Sequence, residues 1–245
     1  MLEKILEMIP NAFIWMTFGA LDTASTYAAH IDGVFNFVFW MVTFWGALCF
    51  VVFFYLLYKF RQRDGVKALY VTGEEKEEKR WISIPHGLVL VCDIFIIVFA
   101  ARVWYNVKQD LPEPDSEVRV ISQQWAWTFV HPGPDNKLDT DDDIKTTEEL
   151  HVEVGKTYHY HLESRDVMHD FSVPVFRLKQ DAIPGRVITG WFKATKAGEY
   201  DIQCAEMCGI AHGIMNARIF LETPAQHAAW VKENSDTKVA ALPPQ

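Results

Sequence analysis

Two apolar runs dominate the first hundred residues. From Val34 to Tyr58 no charge interrupts a sequence rich in Phe, Val, Leu and Trp. At about 1.5 Å per residue, a helix of that length crosses a bilayer with some tilt. Trp81–Tyr105 is long enough to span as well, although it contains Asp93 and Arg102. Arg102 lies near the end and can snorkel. Asp93 must face protein or water rather than lipid, as an interfacial polar group in a multi-subunit bundle does. The connecting loop, Lys59–Arg80, carries seven Lys and Arg residues. The positive-inside rule places it in the cytoplasm, or in the matrix of a mitochondrion, with both termini on the opposite side. Ile9–Leu21 is apolar but short and weakly charged at its start. It makes a poor signal peptide and reads equally as a surface-lying segment or an atypical leader.

After Tyr105 the pattern changes. Leu111-Pro-Glu-Pro114 reads as a linker. Short β-rich runs follow: Glu117–Ile121, Trp125–Val130, Leu150–Val154, Thr157–Leu162, Phe171–Val175, Val187–Lys193, Glu199–Gln203 and Ala217–Leu221. Pro132-Gly133, Gly155, Pro184-Gly185 and Gly198 punctuate them, which predicts a β-sandwich or barrel. Asp139–Asp143 reads as an acidic surface loop. Thr223 is a helix N-cap with Pro224 at the first helical position, and Ala240–Gln245 is a loose tail. The organisation expected is an outside segment over 1–33, a transmembrane hairpin over 34–105 with its cytoplasmic loop at 59–80, a β domain over 106–222, and a helix and tail over 223–245.

Charge sharpens this division. The 245 residues carry a net charge of −9. Residues 1–105 account for −1 of it and residues 106–245 for −8. An acidic soluble domain disfavours nucleic acid and steers basic partners. Of four cysteines, Cys49 and Cys92 sit inside the apolar runs as small hydrophobes. Too few remain for a disulfide framework.

The densest chemistry is Cys204-Ala-Glu-Met-Cys-Gly-Ile-Ala-His-Gly-Ile-Met215. Two thiols, an imidazole and a thioether within twelve residues are soft or borderline donors, the set expected for copper rather than magnesium, calcium or manganese. The residues by themselves leave three other readings open: a Cys204–Cys208 disulfide, a zinc site in which Met215 has no purpose, and a mononuclear blue-copper centre in which one cysteine is surplus. A symmetric site needs an upstream histidine. The candidates are His131, His151, His159, His161, His169 and His227. His169, at a turn just before a strand, could face the cysteine loop across one end of a sandwich. The other five read as ordinary surface or core histidines.

Cys-x-Glu-x-Cys-Gly-x-x-His-x-x-Met resembles the dinuclear copper (Cu-A) loop of cytochrome c oxidase subunit II. The likeness extends to Ser164-Arg-Asp-Val-Met-His169 with Asp170-Phe-Ser-Val-Pro, to Lys179-Gln-Asp-Ala-Ile-Pro-Gly-Arg186, to Gln124-Trp-Ala-Trp127, and to Glu78-x-x-Trp81-x-x-x-Pro85 at the start of the second membrane helix. It covers about residues 34–222. The resemblance implies an α+β membrane protein: a two-helix transmembrane hairpin, then an all-β cupredoxin-like Greek-key sandwich or barrel with a C-terminal helix. It further implies two copper ions bridged by Cys204 and Cys208, with His169 and His212 as nitrogen ligands. Met215 would be a weak thioether ligand and Glu206 would bind through its backbone carbonyl. The Glu206 side chain would also bind a magnesium ion shared with subunit I.

The resemblance carries roles as well. Trp125, alternating with Trp127 on an expected strand, would receive electrons from cytochrome c. Ala126 stands where the family has tyrosine, which alters the surrounding docking surface. Glu78 would lie at the mouth of a proton channel into subunit I, while Asp166 and Asp181 read as structural or docking carboxylates. Electrons would pass to a haem in subunit I, where oxygen is reduced to water and protons are pumped. Haems are expected only in the partner, since the chain has no Cys-x-x-Cys-His sequence. Other oxidase subunits are implied partners. The expected site is the cell's inner (plasma) membrane with the copper domain periplasmic, or alternatively the mitochondrial inner membrane with that domain in the intermembrane space. Two rivals carry less of the sequence. Nitrous oxide reductase shares the loop but is soluble and has a propeller, whose repeats are missing from this sequence. A membrane-anchored copper-delivery module would not need the Gln124–Trp127 or Glu78–Pro85 patterns.

Overall fold

The computed structural model describes residues 22–68 and 70–240. The leader-like stretch Ile9–Leu21 and the tail beyond Ala240 lie outside the described residues. His30–Gln109 forms one compact unit, and the rest of the described chain forms a second.

The first unit is a pair of helices, α1 (Ala28–Lys59) and α2 (Lys76–Trp104), followed by a π-helical turn at Tyr105–Gln109. Both are long and apolar enough to cross a membrane, and their apolar windows are exposed rather than buried. Exposed Phe, Val, Leu and Ile side chains along their length are what lipid, not water, would solvate. The helices meet where the Trp45 indole N–H donates to Cys92 Sγ at 3.3 Å and Phe37 packs edge-on against Phe99 at 5.3 Å. Pro85 sits inside α2; its missing N–H is a defect that membrane helices tolerate.

The second unit is a sandwich of two five-stranded sheets. The strands are β1 (Ser116–Gln123), β2 (Ala126–His131), β3 (Ile144–Thr147), β4 (Glu149–Glu153), β5 (Thr157–Ser164), β6 (His169–Val173), β7 (Leu178–Ala182), β8 (Ile188–Lys193), β9 (Gly198–Cys204) and β10 (Asn216–Glu222). One sheet runs β3-β2-β1-β5-β8 and the other β4-β10-β9-β6-β7. β1·β5 and β4·β10 are parallel; the remaining pairs are antiparallel. Alternate residues fill the space between the sheets, as strand periodicity requires. Trp127, Phe129, Tyr160, Leu162 and Phe192 of the first sheet are fully buried, as are Leu150, Phe171, Ile202 and Ile219 of the second. Tyr160 lies directly over its cross-strand partner Gly190, where an added Cβ would stand 2.1 Å from the phenol oxygen. The ring therefore occupies space that only glycine leaves free.

Three sequence expectations shift. Trp125 is in the turn before β2, not on the strand. Pro174, which has no N–H for the ladder, ends β6 and opens a 3₁₀ turn over Pro174–Phe176, so the strand begins earlier, at His169 itself. β3 and β7 are additional strands. Both are short, polar edge strands, the kind that protects a sheet from further pairing and lacks an apolar signature.

The C-terminal helix α3 (Pro224–Ala240) starts as its sequence predicts. The Thr223 backbone N–H donates to Gln226 Oε1 at 3.0 Å, and the Gln226 backbone N–H donates to Thr223 Oγ1 at 3.4 Å. This reciprocal pair satisfies donors that a bare helix end would leave open. The helix is held to the sandwich by a histidine cluster. His151 lies flat between Phe220 (4.5 Å) and Trp230 (4.2 Å), and His131 meets Trp230 edge-on at 4.9 Å. Glu222 bridges His151 Nδ1 and His227 Nδ1, each at 2.9 Å. Burial pushes the His131 imidazole down to about 3, helped by the neighbouring His151 and His227. Burial opposes ionisation of Glu222, but the two histidine hydrogen bonds outweigh it and bring the carboxyl down to about 2.

A carboxyl whose folded pKa is depressed stabilises the fold above its ordinary value of 4.5, and that contribution is lost as pH falls toward 2. After allowing for solvent screening, Glu222 is expected to contribute about 1–2 kcal/mol near neutral pH. Chemical denaturation of Glu222→Gln should therefore show lower stability at pH 7 and a shallower loss between pH 4.5 and 2. Parallel pH curves for the two proteins would remove Glu222 from this role.

Candidate metal centre

The site is assembled at one end of the sandwich from three segments. β9 ends at Cys204, and β10 begins just after Met215. The Cys204 N–H donates to the Met215 carbonyl at 3.1 Å, adding one rung to the β9·β10 ladder and closing the intervening loop at its base. Within the loop, His212–Ile214 forms a 3₁₀ turn. β6 pairs with β9 through Phe171 and Cys204, which brings His169 alongside.

The donor atoms converge in two matched halves. Cys204 Sγ lies 3.9 Å from His169 Nδ1, and Cys208 Sγ lies 3.7 Å from His212 Nδ1. The two sulfurs are 3.8 Å apart, nearly twice a disulfide length, so both thiols are free. A weaker donor completes each half. Met215 Sδ is 3.8 Å from Cys208 Sγ, and the Cys204 thiol donates to the Glu206 carbonyl at 3.2 Å. His169, Cys204 and Cys208 alone bring ligand atoms within 4.8 Å of one another, close enough to hold one ion between them. His169 is 0% exposed, Met215 2%, Cys208 3% and Cys204 8%; His212 is half-buried. Burial and the adjacent Cys204 thiol push the Cys208 thiol up to about 11. Metal uptake must therefore displace protons. A buried set of two thiols, two imidazoles and a thioether fits copper by donor chemistry.

Neighbouring residues fix this set in place. Asp166 Oδ1 lies 2.9 Å from His169 Nε2, so the histidine carries its proton there and leaves Nδ1 facing Cys204. The same carboxylate accepts the backbone N–H groups of Gln124 and Val167, each at 2.7 Å. Its partial burial opposes ionisation, but the hydrogen bonds from Gln124, His169 and Val167 hold the carboxyl below its ordinary value. The Gln124 side-chain amide donates to the Cys208 carbonyl at 2.7 Å. Trp127, fully buried, packs edge-on against His169 at 6.2 Å and Phe171 at 5.6 Å.

Trp125, 37% exposed, rests against the cysteine loop. A Cβ placed on Gly209 would stand 2.9 Å from the Gln124 side-chain nitrogen and 3.1 Å from the Trp125 indole nitrogen. Gly209 also has φ +131, which side chains rarely adopt. Around it Met207, Ile210 and Ile214 are exposed at 74%, 96% and 76%.

The structure thus gathers His169, Cys204, Cys208, His212, Met215 and the Glu206 carbonyl at one point, with Trp125 beside them. Glu78 belongs to the helical unit, in the first turn of α2, where its carboxylate accepts the Gly73 N–H at 2.7 Å. Sequence reasoning passed over Asp166, Gln124 and Gly209 as parts of the site. An Asp-x-x-His spacing ahead of a ligand histidine was the one available signal.

Comparisons with known proteins agree with this picture. The model of the cytochrome c oxidase subunit II periplasmic domain matches residues 117–222. The alternative cytochrome c oxidase subunit 2 of Bradyrhizobium diazoefficiens is 30% identical over 231 residues, covering 85% of this chain and 82% of that protein. Cytochrome c oxidase subunit 2 of Thermostichus vulcanus is 44% identical over 131 residues, 54% of this chain and 37% of that one. Among solved structures, the periplasmic domain of subunit II of cytochrome oxidase from Bradyrhizobium japonicum matches 52% of this chain and 99% of its own, with a TM-score of 0.47 and 28% identity. With near full-length similarity to one relative and the family's domain over the sandwich, the chain belongs to the cytochrome c oxidase subunit II family.

Proposed function

We propose that this chain is the electron-input subunit of its oxidase. It takes single electrons from reduced cytochrome c and passes them to a haem in subunit I, where oxygen is reduced to water and protons are pumped. The observation that carries this reading is the doubled thiol–imidazole pairing, Cys204 with His169 and Cys208 with His212, the two sulfurs 3.8 Å apart. A copper pair held there would supply a one-electron couple shared across two thiolates. His169, Cys204, Cys208 and His212 would hold it, with the Met215 thioether and the Glu206 carbonyl as weak ligands.

The chain's own residues do the rest. His169 on β6, Cys204 on β9 and the loop closed between β9 and β10 hold the ligands in place, and their burial excludes water that would otherwise reorganise when charge changes. Asp166 sets the tautomer of His169. Trp125 offers an exposed aromatic face that also touches the cysteine loop, a short route from a docked donor. The acidic β domain draws a basic donor toward it. The Glu206 carboxylate contributes one ligand to a magnesium ion, and subunit I must supply the remaining oxygens. Glu78 stands at the cytoplasmic mouth of a proton path into subunit I. These roles place the helices in the plasma membrane and the β domain on the periplasmic side.

Metal analysis of the purified oxidase should return two coppers on this chain; one copper, or stoichiometric zinc, sinks the reading. Trp125→Phe should slow cytochrome c oxidation by about tenfold or more while the copper absorption stays unchanged. An unaltered rate would take Trp125 off the route.

A further inference from the structure

Trp125 stands at the tip of a two-residue turn, since Gln123 and Ala126 are cross-strand partners in the β1·β2 hairpin. The turn fixes its backbone. Among the described residues, no hydrogen bond or ring contact anchors its side chain. What the indole touches is the cysteine loop: a Cβ on Gly209 would stand 3.1 Å from its nitrogen and 3.2 Å from Cζ2.

Gln124 supplies the anchors that Trp125 lacks. Its backbone N–H donates to Asp166 Oδ2 and its side-chain amide donates to the Cys208 carbonyl, each at 2.7 Å. The acceptor is a carbonyl, so the amide must present its nitrogen there. The two bonds end on different halves of the candidate centre. Asp166 holds His169 through its other oxygen at 2.9 Å, and Cys208 Sγ faces His212 at 3.7 Å. The amide and the indole share one resting place, because the Gly209 Cβ would also lie 2.9 Å from Gln124 Nε2. Only a residue without a side chain leaves room for both. A glutamine serving as a docking contact would turn its amide nitrogen outward, whereas this one is committed inward.

We propose that Gln124 is the positioning residue for electron entry: its amide, bonded to the Cys208 carbonyl, holds the Trp125 indole on the Cys208–Gly209 peptide. The inference deepens the reading of Trp125 as the entry residue and rests on it. An electron passing from the ring to the loop depends on that contact, and alignment-dependent steps lose up to about 100-fold in rate for a displacement of about 1 Å.

The test uses the full chain in its oxidase. Gln124→Glu keeps the length of the side chain and removes the donor, while Gln124→Leu removes both polar atoms. With cytochrome c already bound and reduced by a light flash, electron arrival at the copper should slow by about fivefold or more in both variants. The copper spectrum should not change. Affinity for cytochrome c should stay within about twofold of wild type in Gln124→Leu and should not weaken in Gln124→Glu, whose added carboxylate favours a basic donor. A second readout needs no turnover: hydrogen exchange over residues 122–127 and 205–211 should rise by about threefold or more in both variants, with copper present or removed. Wild-type electron arrival in the bound complex would overturn the proposal. So would slowing that comes only from weaker binding, which marks a docking residue, or loss of the copper signal, which marks a support of the ligands. Failure of the entry reading itself is separate, since Trp125→Phe would then match wild type in the same assay whatever the Gln124 variants do.

Discussion

Replacing Cys204 and Cys208 together by serine is expected to empty the metal centre while leaving the fold intact. Serine is close to cysteine in size, and neither thiol anchors the sandwich, whose core is built from Trp127, Phe129, Tyr160, Phe171 and Phe192. What changes is donor chemistry. A serine hydroxyl is hard and stays protonated, whereas two thiolates both select copper and can bridge two ions. Copper should fall to a small fraction of the wild-type content, thiolate-to-copper absorption should vanish, and cytochrome c oxidation should drop by about 100-fold or more. Metal analysis, absorption and turnover on the same preparation provide the check. Retention of wild-type copper and rate would exclude these thiols as ligands. The single variants sharpen the result, since each removes the sulfur facing one particular imidazole, His169 for Cys204 and His212 for Cys208.

The largest stability loss is expected at Trp127. Its side chain is fully buried, edge-on to both Phe171 and His169. Trp127→Ala removes that volume and leaves a cavity that the two sheets cannot close, for an expected cost of about 3–5 kcal/mol. In a β domain of this size, that lowers the melting temperature by about 10–20 °C. The same cavity lets the His169 ring tilt, so copper retention should suffer as well. Trp127→Phe should recover part of both losses. A melting temperature within a few degrees of wild type in Trp127→Ala would show that the core does not depend on this residue.

The chain announced some of its structure more plainly than the rest, for physical reasons. A membrane-length apolar run needs no tertiary information, so α1 and α2 are readable by length alone. The eight apolar-rich strands punctuated by Pro and Gly were equally open to reading. β3 and β7 were not, because an edge strand such as Leu178-Lys-Gln-Asp-Ala182 buries only its ends. Four of the candidate donors lie within twelve residues, and His169 stood out through its resemblance to a family segment. The supporting residues were hidden by distance along the chain. Asp166 reaches back to the Gln124 backbone, and Gln124 reaches forward to Cys208, across separations of 42 and 84 residues. The same holds for His131, His151 and His227, which looked unremarkable one by one. They become a cluster only when α3 brings His227 and Trp230 against β10 and β4.

The two methionines of the cysteine loop have opposite surroundings, 74% exposed at Met207 and 2% at Met215, and this gives them different chemical fates. Thioether oxidation to the sulfoxide follows access. An oxidant that meets the β domain will reach Met207 more readily and turn an exposed apolar side chain polar, while the buried Met215 thioether stays reduced. Damage of that kind is repairable by sulfoxide reductases and leaves the buried Met215 thioether untouched.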